Sequence, residues 1–315
     1  MTASPVIVIA GPTAAGKSRL AMALAEAFGG TIVNADSMQV YRELRVLTAR
    51  PSPADEARAP HRLYGVLPGT ERCSAGRWLG LAVAAIRETW QAGRLPLVVG
   101  GTGLYLKALR EGLSPIPWVP AAVRAEAQRL REALGPERFR AAVAALDPET
   151  AHRLPAGDTQ RLVRAWEVAT ATGIPLSRWQ RQSPPRAPIA ARFLTVAATP
   201  SRAVLTAAID VRFDRMIQAG ALDEVARLLS LDLDPTLPVM RAAGVRELAG
   251  YLRGRTSLAD ACTAAKRQTR LIAKRQMTWL RHQMEVDLSV SAQHSETLDP
   301  KIYTFIRQFL LTEAG

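Results

Sequence analysis

The sequence predicts an α/β fold, a parallel sheet flanked by helices and interrupted by a mostly α-helical insertion. Three observations predict it. Short uncharged apolar runs recur at Val6–Ala10, Thr31–Asn34, Leu95–Gly100 and Phe193–Ala198, each the length of a strand buried on both faces. Helical periodicity separates the early runs, as a parallel sheet requires for its crossovers. Between the proline-rich stretches Ser114–Pro120 and Ser183–Pro188 the strand signals stop and only helical patterns remain.

Taken in order, Val6–Ala10 stops at Gly11-Pro12. Lys17–Phe28 then places Leu20, Ala21, Leu24, Ala27 and Phe28 on one helical face, and Gly29-Gly30 ends it. Thr31–Asn34 is a second strand, Ser74–Gln91 a helix closed by Gly93, and Leu95–Gly100 a third strand that runs into the flexible loop Gly100–Gly103. Helices are predicted at Ala121–Leu134, Pro136–Leu146 and Thr159–Thr172, the last closed by Gly173. Phe193–Ala198 resumes the sheet, and long helices are predicted at Ser201–Ser230 and Ser257–Gln283. The final 25 or so residues carry weak signals. The predicted domains are a discontinuous core, 1–118 with 189–315, and an insertion, 119–188.

With 315 residues, 48% of them hydrophobic, and a mean hydropathy near zero, the chain has ample core material, which excludes disorder over most of its length. No run approaches the roughly 18 uncharged apolar residues of a membrane span. No basic residue precedes the first apolar segment, so the N-terminus does not read as a secretory signal. Two cysteines, Cys73 and Cys262, are too few for a disulfide framework or a four-ligand zinc site, and a cytoplasmic protein is expected. Lys plus Arg total 41 against 28 acidic residues, a net charge of +13, and only five of the 41 are lysines. A GC-rich genome would explain the Arg-to-Lys ratio but not the positive excess. That excess points to a polyanion, and a nucleic acid before others.

Gly11-Pro12-Thr13-Ala14-Ala15-Gly16-Lys17-Ser18 fits G-x-x-x-x-G-K-[S/T], between a strand and an amphipathic helix, and makes the sheet P-loop NTPase-like. Its backbone N–H groups converge on an anion at a helix N-terminus. Lys17 is expected to reach the terminal phosphate oxygens and the Ser18 hydroxyl to ligate Mg²⁺. The loop alone serves ATP as readily as any other diphosphate. The Asp-terminated strand of nucleotide-hydrolysing relatives is missing, since Leu97–Val99 runs into Gly-Gly-Thr. Asp36, directly after the second strand, faces the same sheet edge and suits a general base or an Mg²⁺ organiser. Lys266–Arg281 holds six basic residues and no acidic one. On a helix, Arg267, Arg270, Lys274 and Arg281 fall along one side, with Leu271, Met277 and Leu280 available to pack. The histidines (His61, His152, His282, His294) have no metal-ligand spacing, His61 reads as a local structural group, and the cysteines as small buried apolar residues.

From Val6 to Arg281 the chain resembles the tRNA dimethylallyltransferase (tRNA isopentenyltransferase) family. The resemblance rests on GPTAAGKS (Gly11–Ser18), ADSMQVYR (Ala35–Arg42), TARP (Thr48–Pro51), PHRL (Pro60–Leu63), CSAGRW (Cys73–Trp78) and VVGGTGLYLKAL (Val98–Leu109). It continues through GDTQRLVRAWEV (Gly157–Val168), RFDRMIQAGALDEV (Arg212–Val225), MRAAGVREL (Met240–Leu248) and AKRQMTWLR (Ala273–Arg281). It implies transfer of a dimethylallyl group from dimethylallyl diphosphate to the exocyclic amine of adenosine 37 in the tRNA anticodon stem-loop, with Mg²⁺; a monomer is expected. Gly11–Ser18 would then hold the diphosphate, Asp36 act as base, Thr102 bond phosphate or the target base, and Arg212 support the diphosphate. RNA contacts carry over to Asp36, Ser37, Met38, Gln39, Thr102, Arg124, Gln160, Arg161, Leu162, Val163, Arg164, Arg241, Arg246, Lys274, Arg275, Gln276 and Arg281, with the insertion as a clamp. The chain departs from the pattern at Gly244-Val245-Arg246-Glu247, which lacks the usual tyrosine, and at Thr269-Arg270-Leu271, which lacks an amide. It also lacks the eukaryotic branch's Cys₂His₂ finger, as a bacterial-type enzyme would. The competing readings are a P-loop small-molecule kinase, an adenylate isopentenyltransferase acting on free AMP, and a non-catalytic RNA-binding nucleotide switch.

Overall fold

The computed structural model of the protein describes residues 3–182, 185–291 and 299–312. Ser183 and Pro184 of the second proline-rich stretch, and His294, lie outside them. Backbone contacts divide the chain into two compact units, Met1–Arg110 with Pro188–Gly315, and Glu111–Ala187.

The larger unit is built on a sheet of six strands. These are β1 (Ser4–Ala10), β2 (Gly30–Asn34), β3 (His61–Arg62), β4 (Leu95–Gly100), β5 (Ala191–Ala198) and β6 (Leu288–Val290), in the order β3-β2-β4-β1-β5-β6. Every pairing is parallel, with Ile9 opposite Val99 on β4 and Val196 on β5. All C-terminal strand ends therefore share one edge, where ligands of such sheets bind. Alternation along β1 sends Val6, Val8 and Ala10 to one face and Ile7 and Ile9 to the other. Helices cover both faces, which is why the strands read as continuous apolar runs.

The helices run in chain order as α1 (Lys17–Phe28), α2 (Pro53–Arg58), α3 (Ala75–Gln91) and α4 (Gly103–Glu111), then, after the helical unit, α9 (Arg202–Gln218), α10 (Ala221–Ser230), α11 (Val245–Leu252), α12 (Leu258–Gln283) and α13 (Pro300–Leu311). The single helix expected over Ser201–Ser230 is two. Gly220 adopts φ 92°, a left-handed conformation that ends α9 and starts α10. The weakly patterned C-terminus supplies β6 and α13, whose Ile302 and Ile306 pack with Leu20 and Leu24 of α1 under the sheet. Leu271, expected to pack, is exposed on α12, whereas Met277 and Leu280 do pack. Cys73 and Cys262 are half-buried rather than buried, and are free thiols.

The smaller unit holds α5 (Ala121–Leu146), α6 (Pro148–Arg153), α7 (Thr159–Thr172) and α8 (Leu176–Gln182) around a core that includes Phe139, Val143, Leu162 and Trp166. Gly135 (φ 72°) and Pro136 break α5 where the two predicted helices meet. Among the described residues, no helix is long and apolar enough to cross a membrane.

Candidate active site

The ends of β1, β2 and β4 carry the chemistry. After β1, Ala14 (φ 63°) and Gly16 (φ 87°) both take left-handed backbone, the alternation that turns successive N–H groups inward into an anion nest. Not every amide of the loop is available. Thr13 N–H donates to Gln276 Oε1 at 2.8 Å, and Ala15 N–H turns back to Pro12 O at 3.3 Å. The first turn of α1, with no side-chain cap at Gly16 and no acidic residue, leaves the amides from Gly16 through Ser18 as the cradle. Ser18 itself is exposed at this helix start.

After β2, Asn34 shapes the turn that presents Asp36. Its side-chain oxygen accepts Asp36 N–H at 2.8 Å, while its amide donates to Asp36 O and to Leu63 O, both at 3.0 Å. Buried Trp78 holds Asn34 from behind, donating Nε1–H to its carbonyl at 2.9 Å. Asp36 Oδ1 accepts Met38 N–H at 2.9 Å, and Oδ2 has no hydrogen-bond partner among the described residues. After β4, Thr102 N–H donates to Ala35 O at 3.3 Å, and Thr102 Oγ1 accepts Ser37 N–H at 3.0 Å, which leaves the hydroxyl proton unspent.

Arg212 of α9 completes the set. It lines a cavity of about 270 Å³ together with Thr13, Asp36, Ser37, Met38, Thr102, Arg241, Thr269 and Gln276. Its guanidinium has neither an ion pair nor a hydrogen bond among the described residues. Lys17 sits close enough to feel both Asp36 and Arg212. Burial, set against Asp36 and aided by Arg212, lowers its ammonium to a pKa of about 8, and its Nζ donates to Pro12 O at 2.7 Å. Burial likewise works against the Arg212 charge, with Asp36 opposing it. Two sunken cations facing one carboxylate leave a local surplus of positive charge, which an anion would satisfy. A second cavity of about 310 Å³ opens beside Ser18, lined by Arg19, Arg50, His61 and Tyr64 among others. His61 Nδ1 lies 2.8 Å from Ala59 O at the start of β3, in keeping with a local structural role.

The wall of the first cavity depends on a residue that motif reading passed over. Glu224 of α10 is buried, and its carboxylate accepts N–H groups from Arg45 (2.6 Å), Val46 (2.9 Å) and Leu47 (2.8 Å), fixing the loop whose Leu47 and Thr48 line the cavity. It stood inside the motif Arg212–Val225, but nothing local marks a buried acidic residue as an acceptor for a loop about 180 positions away.

The expected RNA-contact residues divide by environment. Arg241, Arg246, Lys274, Arg275 and Arg281 are exposed. Of the six basic residues in Lys266–Arg281, Lys266 pairs with Asp214 and Arg270 with Asp210, so Arg267, Lys274, Arg275 and Arg281 form the basic face without ion pairs among the described residues. Gln39 spends its side-chain N–H groups on Thr48 O and Ala49 O, both at 2.9 Å, so its amide nitrogen serves the loop and not a ligand. In the helical unit Arg124, Gln160 and Arg161 are exposed, with the Arg124 guanidinium 6.0 Å from the Trp118 ring centroid, and Arg164 pairs with Glu167 at 3.4 Å. Leu162 corrects the expectation, because it is fully buried in that unit's core and offers no side chain to RNA, and Val163 is half-buried against the same core. Val245, where the family pattern has tyrosine, is also buried. Among the described residues no group of three His, Cys, Asp or Glu side chains could hold a metal, and an Mg²⁺ at a P-loop hydroxyl and phosphate oxygens needs none.

Fold and site together define an α/β protein of P-loop-like fold whose glycine-rich loop and a carboxylate line one basic cavity. The chain belongs to the IPP transferase family, whose model matches residues 39–283, with a second match to isopentenyl transferase over residues 4–66. It is 52% identical over 311 residues to the tRNA dimethylallyltransferase of Paramagnetospirillum magneticum, covering 99% of this chain and 98% of that one. It is 58% identical over 280 residues to that of Rhodospirillum centenum, covering 89% of each. Among solved structures, the full-length tRNA isopentenylpyrophosphate transferase of Bacillus halodurans superposes with a TM-score of 0.68 at 30% identity, over 98% of this chain and 97% of that one. A eukaryotic dimethylallyltransferase acting on tRNA superposes with a TM-score of 0.75 at 27% identity, over 88% and 70%.

Proposed function

We propose that the protein transfers the dimethylallyl group of dimethylallyl diphosphate to the N6 amine of adenosine 37 in the tRNA anticodon stem-loop, acting as a cytoplasmic monomer. The observation that carries the reading is the Arg212 guanidinium, without a partner among the described residues, which lines one cavity with Asp36 and lies close enough to Lys17 to act on its ammonium.

The adenine amine is a weak nucleophile, because its lone pair is delocalised into the ring. As the N6–C1 bond forms, the bond from C1 to the diphosphate oxygen breaks and its electron pair leaves with the diphosphate. Asp36 Oδ2 takes the amine proton. Lys17, Arg212 and the amides from Gly16 to Ser18 stabilise the departing charge from positions fixed beforehand. Mg²⁺, held by the Ser18 hydroxyl and diphosphate oxygens, would neutralise further charge. The unspent Thr102 proton is placed to bond either phosphate or base. The adenine must leave its stack to enter the cavity. The exposed face of α12 lies along the RNA backbone.

The reading is tested with radiolabelled dimethylallyl diphosphate, offering bulk bacterial tRNA and AMP in parallel. Label in tRNA alone is expected. Label in AMP would move the protein to the adenylate-directed reaction, and ATP hydrolysis without label would make the P-loop a kinase's.

The Lys17 pKa of about 8 predicts an alkaline limb. Above that pH the free enzyme loses its ammonium, so kcat/KM for the donor falls roughly tenfold per pH unit, while kcat at saturation holds to higher pH because bound diphosphate restores the charge. A flat kcat/KM profile between about pH 7 and 9.5 would contradict this. Lys274→Ala with Arg275→Ala is expected to weaken tRNA binding and to lower the slope of log Kd against log salt by about 1–2. An unchanged slope would take α12 out of the RNA footprint.

A further inference from the structure

We infer that Gln276 is a positioning residue for the diphosphate cradle, joining the RNA-facing helix to the P-loop, and that it does not read the RNA. The inference rests on the transferase reading above. Gln276 follows Lys274 and Arg275 on α12, and the family resemblance carries all three over as RNA contacts. The structure separates them. Lys274 and Arg275 are exposed, while the half-buried Gln276 turns toward the cavity and accepts the Thr13 N–H at 2.8 Å.

Two consequences follow from that bond. Thr13 N–H is spent on the protein, so the loop enters its nest already pinned, and the amides that follow it are aimed without help from a ligand. An adenine-reading glutamine needs its oxygen and nitrogen presented together to N6 and N7, and here the oxygen is engaged with the P-loop. The amide nitrogen is confined as well. A Cβ at residue 101 would strike Gln276 Nε2 and would stand 2.9 Å from Gly11 O, so Gly101 is the residue that lets the β4 loop, α12 and the P-loop meet. Gly101 precedes Thr102, so one side chain braces both the phosphate loop and the loop of the reacting centre.

Gln276→Met keeps the length and removes the acceptor. It leaves the half-buried Thr13 N–H without its acceptor and is expected to weaken binding of inorganic diphosphate with Mg²⁺, and to raise KM for the donor, by roughly tenfold. The tRNA Kd should stay within about twofold of wild type, and kcat should change less than KM. A loss of tRNA affinity with diphosphate binding intact would overturn the inference, and so would wild-type values for both. If the variant's melting temperature falls and both affinities drop, Gln276→Glu decides. It keeps an oxygen for Thr13 while placing a carboxylate beside the cradle, so diphosphate binding must weaken and tRNA binding hold. Equal losses there overturn the inference. A wild-type protein that binds no diphosphate would refute the donor reading itself, a result separate from any difference between variants.

Discussion

Lys17→Met is expected to abolish turnover at limiting donor, with kcat/KM for dimethylallyl diphosphate down by roughly 10³-fold or more. Removing one preorganised donor to a developing oxyanion costs about 10²–10³, and here a full charge goes with it. Of the protein's own groups, Arg212, the Ser18 hydroxyl and the amides from Gly16 to Ser18 remain to hold the leaving group. Inorganic diphosphate binding should collapse in parallel, while tRNA binding, carried by exposed side chains elsewhere, should persist. The same substitution should raise the melting temperature. Burial disfavours the Lys17 ammonium, whose pKa falls from 10.5 to about 8, so below about pH 8 the folded protein carries the full cost of a desolvated charge. That cost fades as pH rises from about 8 toward 10.5, where the folded state sheds the proton the unfolded chain still holds. The stability gained by the variant should therefore be largest at neutral pH and shrink on the alkaline side. A variant that is inactive and also less stable at pH 7 would mean that Lys17 holds the loop together and does not wait for an anion.

The parts of the site that could be read from the chain are those whose meaning is local. The P-loop declares itself in eight consecutive residues, and Asp36 follows a strand end by two positions, so both could be placed on the sheet edge before any coordinates. Arg212 is different. It came only with the family resemblance, because nothing in Arg212-Phe213 reports that α9 lines a cavity with Thr13, about 200 residues earlier. The same distance hid Glu224, and it hid the bond of Gln276, an RNA contact by the family resemblance, to Thr13. Among elements, the four runs that became β1, β2, β4 and β5 were legible because burial on both faces leaves them uncharged and mostly apolar over the predicted spans. The two-residue β3 and three-residue β6 are too short to show a period. The break at Gly220 was invisible for another reason. A lone glycine inside a helical pattern is tolerated as often as not, and only the left-handed φ shows that here it divides two helices.

Asp36→Asn and Asp36→Ala should each lower kcat by about 10²–10⁴, the usual range for a general base, with the tRNA Kd little changed. Asparagine is the sharper probe. Its side-chain oxygen still accepts Met38 N–H, and Asn34 still fixes the backbone, so the turn survives with only the basic oxygen lost. The substitution also removes the one negative charge that Lys17 and Arg212 both feel. A base of this kind therefore has a signature that a structural residue lacks, with transfer failing while inorganic diphosphate binds more tightly than in the wild type. If Asp36 instead organises Mg²⁺, diphosphate binding in the presence of the metal weakens along with kcat. Turnover within tenfold of wild type would remove Asp36 from the chemistry altogether. The alkaline limb supplies an independent check, because Asp36 is the group that raises the Lys17 pKa against burial. Without it the ammonium should be lost below pH 8, and donor binding by Asp36→Asn should begin to fail at a lower pH than in the wild type.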